Sequence, residues 1–112
     1  MRGKILSGLL AGLFSLSLSL TAVAAEDHKA EAMKHTQAAV DSSKKGDAKG
    51  VAEHAEAAKT HAAAANKEKA NPHLDAALKS LDGAIEHGKM GHADIAGKAA
   101  EEAMTHLNAV KQ

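Results

Sequence analysis

Apolar residues recur through most of this chain at intervals of three and four, the spacing that lines one face of an α-helix. Four such stripes are present: Met33, Thr36, Val40; Val51, Ala55, Ala58, Ala62; Leu74, Leu78, Leu81, Ile85; and Ala96, Ala100, Ala103, Leu107, Val110. Each is narrow, with Lys and Glu filling the opposite faces. Alanine, lysine and glutamate all favour helix. The punctuation between stripes agrees. Gly46 suits a helix C-terminus and Asp47 caps the next N-terminus. Asn71-Pro72 is a cap followed by proline at the first helical position. The pattern predicts helices from about Asp27 to Lys44, Ala48 to Lys69, Pro72 to His87 and His92 to Val110, with Gly88–Gly91 as the last turn. Narrow stripes and short turns predict an all-α fold, an up-down-up-down four-helix bundle. The first two stripes hold three alanines and no leucine or isoleucine, so they bury less area, about 0.8 kcal/mol for each CH₂ forgone, and the first half is expected to be the weaker one.

A different pattern precedes these stripes. Arg2 and Lys4 give a basic start, Ile5–Leu20 is an apolar run diluted by serines, and small residues follow from Thr21 to Ala25. This is the layout of a secretory signal peptide over residues 1–25, leaving residues 26–112 as one domain exported to the periplasm. The run is short for a spanning helix, which needs about 20 apolar residues, so no membrane association is expected after cleavage. The cut falls after Ala24 or after Ala25. There is no cysteine, hence no disulfide and no lipid anchor. Removing Arg2 and Lys4 leaves twelve basic against fourteen acidic residues, a net charge of −2 that favours cations and not nucleic acid. Phe14, the one aromatic residue, leaves with the signal, so no platform remains for stacking bases.

The two halves of residues 26–112 are related by a shift of 45. His28 matches His73, Lys44 matches Lys89, and Gly46 matches Gly91. Glu56, Thr60 and His61 match Glu101, Thr105 and His106. The bundle therefore reads as a duplicated helical hairpin.

The eight histidines respect that duplication. His28 with His61 and His35 with His54 share a midpoint near residue 44.5. His73 with His106 and His87 with His92 share one near 89.5. Closing each hairpin at its midpoint sets every histidine opposite another. At about 100° per residue, His54, His61 and His106 lie roughly 60–80° from their stripe centres, and His28, His35 and His73 roughly 110° away in the same sense. Antiparallel reversal turns those flanks toward each other. Imidazole is the commonest protein metal ligand. Along one helix the histidines are 7 or 14 apart, about 10.5 or 21 Å, too far for one ion with bonds of about 2 Å. The spacing thus predicts separate two-histidine rungs between helices. Glu31, three after His28 and four before His35, and Glu102, four before His106, are candidate supplements. Met90, between His87 and His92, is a candidate soft ligand for Cu(I). A cut after Ala25 would also start the chain Glu26-Asp27-His28, whose free amine and third-position histidine suit square-planar Cu(II) or Ni(II). Losses come in facing pairs too. His35 and His54 correspond to Ser80 and Ala99, and His87 and His92 to Ser42 and Asp47.

Ala84-Ile85-Glu86-His87-Gly88-Lys89-Met90-Gly91-His92, with His73-Leu74-Asp75, Glu101-Glu102-Ala103 and His106-Leu107, resembles the small periplasmic metal-binding proteins (SmbP-like). The likeness spans essentially residues 26–112. It implies a histidine-repeat helical bundle binding several divalent metals, copper foremost, in storage, scavenging or tolerance. This chain has fewer histidines than a full ladder, with Ser80 and Ala99 where rungs would continue.

Nitrogen ligands without thiolate put Cu(II) first, with Ni(II), Zn(II) and Co(II) behind. The partners expected are metal ions, and the chain is expected to act as a monomer. No nucleophile–base arrangement, phosphate loop or His-Glu-x-x-His motif is present, so no enzyme is expected. The rival readings are a metal-independent structural or stress-related bundle and a haem bundle with Met33 and His106 as axial ligands. An alanine-lined core without aromatics offers haem little, and no Cys-x-x-Cys-His exists to bind it covalently.

Overall fold

A computed structural model describes residues 27–111. The signal-peptide reading of residues 1–25, and with it the N-terminal copper site at residue 26, lies outside them. Four helices follow in order: α1 (His28–Lys44), α2 (Ala48–Glu68), α3 (Pro72–Lys89) and α4 (Ala93–Ala109). No strand occurs among the described residues. Each helix packs on its neighbours in sequence, and α1 also packs on α4, which closes the bundle.

The caps explain where the helices begin. Asp27 Oδ1 accepts from Ala30 N at 3.0 Å, Asp47 Oδ1 from Gly50 N at 2.9 Å, and Asn71 Oδ1 from His73 N at 2.8 Å. Each satisfies an amide the helix itself leaves without a partner.

The duplication recurs in the hydrogen bonds. Gly46 and Gly91 both adopt positive φ, +74° and +83°. Around them, Asp47 N donates to Ser42 O and His92 N to His87 O, each at 2.9 Å. These are the same helix-ending turn, with glycine in the left-handed position. Thr60 and Thr105 each donate to the carbonyl four residues back, both at 3.2 Å.

The bundle axis runs along alanines more closely than the stripes imply. Ala32, Ala39, Ala77 and Ala84 are fully buried, while Met33, Leu78 and Ile85 lie only partly buried against the core. Small side chains let the backbones approach, and the larger residues cover the flanks. Leu74, Leu81 and Leu107 fill the second half, against Val40 and Val51 in the first.

Helix α3 also runs two residues beyond its expected end. Gly88 is buried within it, and a Cβ there would lie 2.8 Å from Ala48 O and 3.0 Å from Ala52 N. This glycine serves a close helix crossing, and Gly91 alone makes the turn. By the shift of 45, Gly88 on Ala52 corresponds to Ser43 on Gly97. A Cβ at Gly97 would indeed collide with Ser43. Each seam between the hairpins thus has one glycine at its tightest point.

Candidate metal-binding histidine tracks

All four histidine pairs face each other. The ring centroids are 5.3 Å apart for His28–His61, 6.4 Å for His35–His54, 6.2 Å for His73–His106 and 5.7 Å for His87–His92. Two pairs also bring nitrogens together. His28 Nδ1 and His61 Nδ1 are 3.1 Å apart, and His87 Nδ1 and His92 Nδ1 are 3.5 Å apart. Nitrogens bound to one ion at about 2.0 Å are separated by about 2.8 Å at a right angle and about 3.3 Å at a tetrahedral angle. The first distance falls between these values, and the second lies just outside.

The sequence explains this facing. The histidines stand on helix flanks next to the alanine seam, six of the eight half-buried, with His73 and His92 exposed. Close packing of alanines brings paired helices near enough for imidazoles to meet across the groove. The tracks stay partly solvated, so an ion held there would avoid much of the desolvation cost of burial.

The first hairpin departs from a set of separate rungs. The His61 ring lies 5.6 Å from His35 as well, nearly parallel at 4°. Glu31, His35 and His61 each offer one ligand atom, all within 4.8 Å of one another, and all three are half-buried. Glu31, the acidic residue of the first turn of α1, also contacts Lys34 at 3.8 Å.

The other candidate supplements sit differently. Glu102 accepts from Ser80 Oγ at 3.0 Å, so its carboxylate turns across the α3–α4 groove to the site of the missing rung. A shallow groove lined by Ser80, Gly83, Ile95, Ala99 and Glu102 stands where the first hairpin carries His35 and His54. Met90 caps α3, its backbone N–H donating to Glu86 O and His87 O, and it is 56% exposed. One residue went unnoticed in the sequence: Glu68 approaches His28 Nε2 at 3.8 Å. It follows His61 by seven positions on α2, a heptad step that keeps both on one face.

His92 fills the N-cap position of α4 and makes no side-chain capping bond. Its counterpart Asp47 does cap α2. The second hairpin thus has a histidine where the first has a helix cap.

No helix among the described residues is long and apolar enough to cross a membrane. No curated protein sequence matches the chain. The family described as small metal-binding protein matches residues 3–110. Facing imidazoles, a carboxylate within reach of two of them and a match over nearly the whole length agree, and the chain belongs to the small metal-binding protein family.

Proposed function

We propose that this protein sequesters divalent metal ions in the periplasm, copper foremost, as a monomer that holds them between facing histidines. The observation that carries this reading is the pairing of all eight histidines across antiparallel helices. A lone solvated imidazole binds an ion weakly, whereas two at fixed separation share the entropic cost of ordering it. Copper is favoured because the donors are nitrogen and oxygen without thiolate, for which affinity peaks at Cu(II). Ni(II), Zn(II) and Co(II) follow on the same donors. Residues 1–25, read as a signal peptide, supply the export. The half-exposed tracks suit loading and release rather than permanent structural metal, which sits in closed sites.

Calorimetric titration of the purified protein with Cu(II) tests this. More than one ion should bind at micromolar affinity or tighter. The His73→Ala, His106→Ala double variant should bind one fewer. Association no tighter than millimolar would leave an alanine-rich bundle with no sequestering role.

A further inference from the structure

We infer that His28, Glu31, His35 and His61 form one four-ligand centre for a single divalent ion, in place of two separate two-histidine rungs. The inference rests on the sequestration reading above and deepens it at one place.

His61 is the pivot. Its ring contacts His28 at 5.3 Å and His35 at 5.6 Å, so one α2 side chain lies between two α1 side chains. His28 and His35 are seven apart, about 10.5 Å along the axis, with an ion midway about 5 Å from each along that direction. Bonds of about 2 Å do not cover that rise by themselves, so both imidazoles must lean along α1 toward the level at which His61 enters from α2. Glu31 occupies the same level on α1, one turn from each histidine, with a ligand atom within 4.8 Å of both His35 and His61. The His28 and His61 nitrogens already have the separation of adjacent ligands on one ion, 3.1 Å. Closing Glu31 and His35 onto that ion takes rotation of half-buried side chains on the flank and leaves the alanine seam in place.

Glu68 stands at the edge of this set, its carboxylate 3.8 Å from His28 Nε2. The outcome is three nitrogens and one carboxylate oxygen, a donor set that suits tetrahedral Co(II) or Zn(II) and tetragonal Cu(II). His54, 6.4 Å from His35 by ring centroid, stays outside it. The second hairpin cannot build an equivalent. The counterparts of Glu31 and His35 are Ala76 and Ser80.

Titration with Co(II), followed by visible absorption and by ion count, tests the centre in the purified protein. Single variants His28→Ala, His35→Ala and His61→Ala should each lose one ion, and His28→Ala with His35→Ala should also lose only one. Glu31→Gln should weaken that ion by more than about tenfold and change its visible band. Far-ultraviolet circular dichroism at wild-type amplitude confirms that each variant is folded. Loss of two ions in the double variant overturns the single centre, as does an unchanged band in Glu31→Gln. Absence of Co(II) and Cu(II) uptake by the wild-type protein overturns the sequestration reading itself, a result distinguishable from either.

Discussion

At the scale of single residues, position 92 has a histidine where its counterpart has a helix cap. Asp47 accepts an amide hydrogen bond at the start of α2, and His92, its counterpart, accepts none at the start of α4. A side-chain cap stabilises a helix by about 1 kcal/mol. The variant His92→Ser is therefore expected to be more stable by about 0.5–1 kcal/mol in chemical denaturation, while losing the ion that the proposed function assigns to His87 and His92. A variant that is less stable would show that His92 supports the fold by contacts other than capping. Much of this scale was legible in the sequence. The midpoints alone paired all eight histidines, because two positions equidistant from a turn must meet in an antiparallel hairpin. The partner of Glu102 was not legible. Its choice of Ser80 over His106 depends on side-chain direction across a groove, and spacing along one helix does not carry that information.

At the scale of elements, alanine and glycine set how closely the hairpins approach. Alanine exceeds glycine in helix propensity by about 1 kcal/mol, so an exposed Gly→Ala change would stabilise α3. At Gly88 the opposite is expected, since the new Cβ would meet the backbone of Ala48 and Ala52 at 2.8–3.0 Å. Gly88→Ala should cost about 1–3 kcal/mol of unfolding free energy, the usual cost of overpacking. A stabilised variant would mean the α2–α3 seam opens easily. The four helices and their order were readable from periodicity and caps. The depth of their seams was not, because hydrophobicity ranks Met33 and Leu78 above their alanine neighbours, whereas backbone approach favours the smaller residue. For the same reason Gly88 read as part of a turn. A glycine next to an expected helix end looks alike whether it frees φ or makes room for a neighbour.

At the scale of the whole molecule, ion binding and folding are linked. Apart from His87 and His92, which flank one turn, the histidines of each pair come from different helices, so only the folded bundle presents them together. Ligand that binds only the folded state stabilises it by RT ln(1 + [L]/Kd), about 2.7 kcal/mol at a hundred times Kd. For a domain of this size about 1 kcal/mol moves Tm by roughly 4–8 °C. Saturating Cu(II) is thus expected to raise Tm by about 10 °C or more, and a Tm that does not move would place the ions on single helices. The two hairpins share a core, yet among the described residues no ring contact joins a histidine of one hairpin to a histidine of the other. Ions held on the two sides would then share no ligand, and would bind at different strengths where the donor sets differ. A sequestering protein built this way would have no threshold. It would take up ions gradually over a wide range of free concentration, as a mixture of weak acids buffers pH more broadly than one acid alone.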